Sequence, residues 1–190
     1  ESKRKSQMAD MASTGGSVED YLKSLNMKMA IGRDDASHLP RLSQLTQKTN
    51  QFNLTTRRYS EADVSRYIEA DNASVYHFSL ADNFGDSGEV GLAIVEKDAS
   101  RARLDTFLMS CRVIGRCAEQ AFLARIIDNL RDEGIEELVA EFIPTRKNVL
   151  VETFLPDNGF AASDEVRFLT QLGAREGSAD ASPIEIQRPA

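Results

Sequence analysis

Between Ser74 and Asp132 the spacing of apolar residues changes once, from two to about three and a half, and that change limits the possible folds more than any other feature of the chain. Over "SVYHFSL" the residues Tyr76, Phe78 and Leu80 alternate with Val75, His77 and Ser79, which is the pattern of a strand. "DNFGDSG" supplies a turn, "EVGLAIVEK" returns as the partner of a hairpin, and "RARLDTFLMS" follows as a third strand. Strict alternation predicts Asp105, Phe107 and Met109 on one face of that third strand, with Leu104, Thr106 and Leu108 on the other. From Ala118 to Asp132 the period is helical: Phe122, Ile126 and Leu130 are four apart, Leu123 and Ile127 lie beside them, and Gly134 stops the helix. A meander feeding one amphipathic helix calls for a layered fold in which the helix covers the sheet.

The flanking segments extend the same layers. "SVEDYLKSLNMKMAI" predicts a short helix capped by Ser17, with Glu19 and Asp20 in its first turn, then a strand around Lys28 to Ile31. "ASHLPRLSQLTQKTNQF" places Leu39, Leu42, Leu45 and Thr49 at helical spacing, with Pro40 in the first turn. "RRYSEADVSRYIEAD" adds a second helix, capped by Ser60 with Asp63 at the capping-box position. Beyond the main helix come a strand, "IEELVAEFIP", a short helix broken at Pro156 with a turn at Gly159, and a last strand, "EVRFLTQL". The order predicts an α/β fold: one central mixed, mostly antiparallel sheet flanked by helices. Residues 1–18 read as linker and 174–190 as a polar, disordered tail, leaving 19–173 as the domain.

With 190 residues, of which 41% are hydrophobic, the chain suffices for one sizeable domain. Its apolar runs are too short to span a bilayer, and "ESKRKSQMADMASTGGS" is too charged for a secretory signal. The net charge of −7 would repel a polyanion, which argues against general nucleic-acid binding. Cys111 and Cys117 lie six apart, neither a disulfide framework nor the paired spacing of a zinc site, so they fit free thiols in a reducing cytoplasm, and no metal site is expected. The charge is uneven: Arg41, Lys48, Arg57 and Arg58 occupy the stretch from 41 to 58 with no acidic residue between them. Such a run is either a solvated helix face or a patch for an anionic partner.

"SCRVIGRCAEQAF" joins the third strand of the meander to the main helix. Arg112, Gly115 and Cys117 are spaced R-x-x-G-x-C, and the first amides of a helix have no internal partner and sit at its positive end, so they suit a phosphate. The cofactor-binding candidates are therefore Arg112, Val113, Ile114, Gly115, Arg116, Cys117 and Ala118, with Gly115 letting a ligand oxygen approach the backbone. Arg112 and Arg116 could clamp phosphate oxygens or pair with Glu119 or Asp128. Asp105 is a candidate general base if burial raises its pKa, or a strand aspartate tied to a neighbouring arginine. Cys111 is a candidate nucleophile at the positive helix end, or a small buried hydrophobe.

The same turn resembles the pyrophosphate-binding R/Q-x-x-G-x-G/A motif of the GNAT acyltransferase superfamily, and "NVLVETFLPDNGF" resembles its late motif. Two positions depart from that pattern: Cys117 replaces the second small residue, and Leu155 follows Phe154 where many members carry a tyrosine general acid. More narrowly, "QLTQKTNQFNLTTRRYSEADV", "LDTFLMSCRVIGR" and "FIPTRKN" resemble the C-terminal domain of FkbH-like proteins, from about Ser17 to about Leu172. Those proteins join a HAD-type phosphatase-like domain to a GNAT-like domain and load a glyceryl unit onto an acyl carrier protein. The resemblance implies an acyltransferase domain of polyketide-type biosynthesis that uses coenzyme A or carrier-linked 4'-phosphopantetheine. It implies a HAD-like phosphatase domain in the same longer chain, with "ESKRK" as the end of the connection. It makes Arg41, Lys48, Arg57 and Arg58 a candidate dock for an acidic carrier, and has Asn148 either orienting pantetheine amides or capping its own helix. Two other readings stay open: a non-catalytic carrier-binding module, and a coenzyme A-dependent N-acetyltransferase.

Overall fold

Serines open two of the helices. α1 (Val18–Ser24) and α3 (Glu61–Glu69) start at Ser17 and Ser60, each accepting from the amide three residues on while Asp20 or Asp63 reaches back to the serine's own N–H. Each such box supplies partners for amides that the helix cannot satisfy itself, typically worth about 1 kcal/mol. Both stand where the serines predict them. The computed structural model describes residues 17–173 and 183–187.

The remaining elements are β1 (Met27–Arg33), α2 (Leu39–Lys48), β2 (Phe52–Asn53), β3 (Ala73–Asp82), β4 (Gly85–Asp98), β5 (Arg101–Met109) and α4 (Ala118–Asp132). They continue with β6 (Glu137–Glu141), α5 (Phe154–Asp157), β7 (Ala161–Ala162), β8 (Arg167–Gln171) and β9 (Ile184–Gln187). One sheet runs β7-β8-β6-β5-β4-β3-β1-β9, with β2 added to β5 off that path. The β5–β6 and β1–β9 pairs are parallel and the rest antiparallel, which is the mixed sheet expected.

Three features differ from the sequence expectation. The polar tail contains a strand: Met27 to Ala30 of β1 pair with Ile184 to Gln187, and Ile184 is buried. The rest of that tail, 174–182 and 188–190, and the linker up to residue 16 lie outside the described residues, while Ser17 is already the cap of α1 and Val18 its first residue. Pro156 does not break a helix but sits in the first turn of α5, where its missing N–H needs no partner. The third strand also does not alternate throughout. Ile94 pairs with Thr106 and Val95 with Leu104, so Asp105 is the extra residue of a β-bulge. The bulge flips the phase, and Leu104 joins Phe107 and Met109 in one core cluster instead of facing away with Leu108.

The larger core lies between the sheet and α1, α4 and α5, and the smaller one, with Leu42, Leu45, Val64 and Leu108, lies under α2 and α3. A column of phenylalanines crosses the larger core. Phe78 meets Phe122 at 4.7 Å between centroids, Phe122 meets Phe107 at 5.4 Å, Phe107 stacks on Phe154 at 5.2 Å, and Phe154 meets Phe52 edge-on at 5.2 Å. Each ring contributes about 1.5–3 kcal/mol on burial. Gly91 makes the column possible, because a Cβ there would stand 1.9 Å from the Phe78 ring.

Beyond the bulge the sheet would be open. β5 and β6 pair only from Arg101/Glu137 to Leu104/Ala140, after which they part. β2 occupies the opening, with Phe52 opposite Met109 and Asn53 opposite Leu108.

Candidate functional site

The phosphate-type turn begins where Ser110 anchors β5 by donating its amide to the Val90 carbonyl at 2.7 Å. One turn of 3-10 helix, Cys111–Val113, follows and buries Val113. Gly115 then takes a φ of +80°, and nothing lies within 4 Å of where its Cβ would be. Cys117 adopts the left-handed conformation (φ 59°, ψ 21°) as N-cap of α4 and provides no side-chain cap. A non-glycine residue there is held at a cost of about 1–2 kcal/mol. Among the described residues, nothing accepts a hydrogen bond from the amides of Gly115 and Cys117. Backbone donors without an acceptor therefore lie at the positive end of a 15-residue helix.

The charges around the turn sort themselves. Arg112 is exposed, touches only Ser110 Oγ at 3.5 Å, and has no acidic partner among the described residues. Arg41, on α2, donates to the Glu89 carbonyl at 3.0 Å. Burial lowers its pKa and the Arg112 charge lowers it further, against the opposing charge of Glu89. Arg116 is turned inward. Its guanidinium donates to Asp82 Oδ2 at 3.0 Å and to the Arg112 carbonyl at 2.8 Å, pinning the turn to the end of β3. The expected pairing of Arg116 with Glu119 or Asp128 is replaced by Asp82. Ile114 packs on the core and Ala118 is buried, so both contribute to this site through the backbone.

The two cysteines differ in their surroundings. Burial, then the neighbouring Glu119, pushes the Cys117 thiol up, away from thiolate. Cys111 is exposed on the 3-10 turn and is not the small buried hydrophobe of the alternative reading. Glu119 itself is half-buried in the first turn of α4. Burial raises its pKa against hydrogen bonds from its own amide and Gln120, and Oε2 is left without a partner.

Asp105, the bulge residue itself, lies five residues before Ser110, where that turn begins. Its carboxylate is only 3% exposed and accepts from Arg57 at 3.0 Å, Tyr59 Oη at 2.5 Å and Thr106 Oγ1 at 3.0 Å, with Arg103 at 3.2 Å. Arg57 also donates to Glu141 at 2.5 Å, and Arg103 and Arg167 stand 3.6 and 3.7 Å from the same carboxylate. Burial pushes Glu141 up, but the bond and charge of Arg57 with the charges of Arg103 and Arg167 outweigh it and hold the group below its ordinary value. Burial, then the bond to Asp105, puts the Tyr59 phenol far above the ordinary range, so it stays a donor. Asp105 is thus a strand aspartate tied to neighbouring arginines, as the alternative reading has it, with donors from four side chains. Of these residues Arg103, Glu141 and Arg167, but not Asp105, line a cleft of about 910 Å³ over β5, β6 and β8, together with Val139 and Leu169.

The basic run is dispersed. Arg41 stands by the turn, Lys48 is exposed at the end of α2, and Arg57 enters the Asp105 cluster. Arg58 caps the carbonyl end of α2, bonding the carbonyls of Thr46 and, at 2.9 Å, Thr49. Asn148 is fully buried and caps nothing by its side chain. Its Oδ1 accepts from Thr145, and its Nδ2 donates to the carbonyls of Asn53 at 2.9 Å and Ile143 at 3.0 Å. His77 is buried against Glu89 at 2.8 Å, and no metal-binding group of residues exists among the described ones. Among those residues, no helix is long and apolar enough to cross a membrane.

Sequence reasoning missed Tyr59, Arg103 and Glu141, which come together only when β2, β5 and β6 meet. One signal was present: Ala102 and Leu104, then Phe107 and Met109, are two apolar pairs of opposite parity separated by Asp105-Thr106, which marks a bulge.

No protein-family model and no curated protein matches the chain. Solved structures do. The ribosomal-protein-S18-alanine N-acetyltransferase of Escherichia coli superposes with a TM-score of 0.58 at 17% identity, over 80% of this chain and 99% of that one. An acetyltransferase of the GNAT family from Staphylococcus aureus Mu50 gives 0.57 at 12% identity, over 76% and 99%. The PaiA N-acetyltransferase of Thermoplasma acidophilum, solved in complex with coenzyme A, gives 0.56 at 16% identity, over 75% and 96%. These likenesses establish the fold: it is that of the GNAT acetyltransferases.

Proposed function

We propose that the domain is an acyltransferase that binds the phosphate-bearing end of coenzyme A, or of carrier-linked 4'-phosphopantetheine, at the turn from Arg112 to Ala118. One observation carries this reading: among the described residues nothing accepts from the amides of Gly115 and Cys117 at the start of a 15-residue helix, and the exposed Arg112 of the same turn has no acidic partner. An anion would complete the helix terminus and pair with Arg112 and Arg41 at once. The fold supports it, since structures of that fold include complexes with coenzyme A.

The finer reading is transfer of a glyceryl-type acyl group to or from the thiol of an acyl carrier protein, with a HAD-like domain in the same longer chain. With the basic run dispersed, a better carrier dock lies at 143–150. There exposed Ile143 on one side and exposed Val149 and Leu150 on the other flank Arg146 and Lys147 along the chain, an apolar and basic stretch suited to an acidic partner. A coenzyme A-dependent N-acetyltransferase is the second reading, favoured by the N-acetyltransferase structures that share the fold. The saturated Asp105 and the buried Leu155 in place of a phenol favour a third, a carrier-binding module without catalysis.

One experiment separates them. The chain is incubated with an acylated donor and either a holo-carrier or a free amine, and the acceptor mass is followed. Acyl gain by the carrier supports the leading reading, gain by the amine supports the second, and carrier binding without gain supports the module. Gly115→Asp should abolish donor binding while costing only about 1–2 kcal/mol of stability for a side chain at a φ of +80°, so the protein stays folded. A Gly115→Asp protein that binds donor normally would remove the phosphate assignment.

A further inference from the structure

We propose that residues 52–54 are an internal gate: they hold the strand edge that an amide-bearing donor arm would need, and the arm gains that edge only when they swing out. The inference rests on the phosphate-turn reading above. A ligand anchored at Gly115 and Cys117 and carrying an extended arm with amide groups would seek an unpaired strand edge, as peptides do when they add to a sheet. β5 leads directly into the turn, and its β4 side is already paired, with Gly91 opposite Met109 and Leu92 opposite Leu108. Its other side, beyond the Asp105 bulge where β6 departs, is the remaining edge.

That edge is filled by the chain itself. Phe52 and Asn53 pair with Met109 and Leu108, and the Leu54 amide donates to the Phe107 carbonyl at 3.1 Å. The segment is bound on both sides, because the Ile143 amide donates to the Leu54 carbonyl at 2.9 Å and Asn148 Nδ2 to the Asn53 carbonyl at 2.9 Å. Its hydrogen bonds are thus those of a strand inserted between β5 and the segment after β6. Phe52 and Leu54 are buried, which holds the gate closed without a ligand. Asn148 is the latch, since it joins the loop 143–148 to the segment while its other atoms are committed to Thr145 and Ile143. This assigns a role to the otherwise unexplained "TNQFNLTT" stretch: it stands where the donor's arm would stand.

The test compares coenzyme A with 3'-phospho-ADP, its nucleotide part without the arm, by calorimetry on the full chain, and follows amide exchange at Leu54 and Ile143. The wild type is expected to bind both within about twofold, with both amides protected. Leu54→Pro removes the donor to Phe107, and Asn148→Asp removes the latch donor while keeping acceptors for Thr145. Each should speed exchange at the segment and tighten coenzyme A about tenfold or more, leaving 3'-phospho-ADP unchanged. If Leu54→Pro does not fold, Asn148→Asp carries the test alone. Loss of protection at Leu54 when coenzyme A binds the wild type more tightly than the nucleotide would also support the gate. The proposal is overturned if coenzyme A binds the wild type ten times more tightly than the nucleotide with both amides still protected. It is equally overturned if the loosened variants bind the two ligands alike. Failure of either ligand to bind any variant removes the phosphate-turn reading, and the gate with it.

Discussion

The turn after β5 and the cluster around Asp105 lie on one strand and are built on opposite plans. At the cluster every charged group is met: one carboxylate takes four donors, and Glu141 holds three arginines within 3.7 Å. At the turn the balance is incomplete, with open amides, an uncapped helix and an exposed Arg112 that has no acidic partner among the described residues. Buried polar groups that are fully paired hold a fold together, whereas donors left open at the surface are completed by something else. Motif position alone would rank Asp105 and Gly115 as equal partners in catalysis, and the pairing separates them.

Removing Asp105 should have the largest effect, and on stability. Asp105→Ala leaves Arg57 and the Tyr59 phenol without their buried partner and should cost about 3 kcal/mol, near the low end for a broken buried pair because Arg57 is partly exposed. Urea unfolding measures it, and an unchanged midpoint would return Asp105 to candidacy as a free base. Acid should find the same cluster. Glu141 has a folded pKa below its ordinary value of 4.5, so its contribution is fully present above about that pH and is lost as the pH falls through the lower folded value. Stability measured from pH 6 downward should therefore decline below about 4.5, and less so in Glu141→Gln.

At the turn the effects should fall on binding. Arg112→Ala should weaken coenzyme A about ten- to a hundredfold, the range for a lost charge-assisted hydrogen bond, with an unchanged melting temperature. Glu119→Gln should do the reverse on a smaller scale. Its carboxylate at the first turn of α4 opposes a bound anion, so the amide should tighten binding about two- to fivefold. Because burial raises the Glu119 pKa, the wild type should gain affinity as the pH falls through that raised value, while the glutamine variant should not share that part of the gain. Parallel titrations of the two proteins would show it.

Much of the fold was legible, and the exceptions have physical causes. The capping boxes, the meander and α4 are local patterns, repeated often enough for period and cap to declare them. β2 has two residues and β9 four, too few for a period to show against their neighbours. Their pairing depends on an opening between β5 and β6 and on the exposed side of β1, which exist only in the assembled sheet. The site divides similarly. Gly115 and the helix start are local, and the turn is where the spacing places it. The fate of Arg41, Arg57 and Arg58 is tertiary: neighbours in a basic run end at the turn, in a buried cluster and on a helix cap.

The phenylalanine column has an optical consequence. The chain contains no tryptophan, and the column ends at Phe52, inside the segment between β5 and the loop after β6. A tryptophan put in place of Phe52 would be the sole indole in the molecule, buried against Phe154 while the segment stays in the sheet and wetted when it leaves. Emission wavelength would then follow that segment in real time, in the same sample in which a ligand meets the turn.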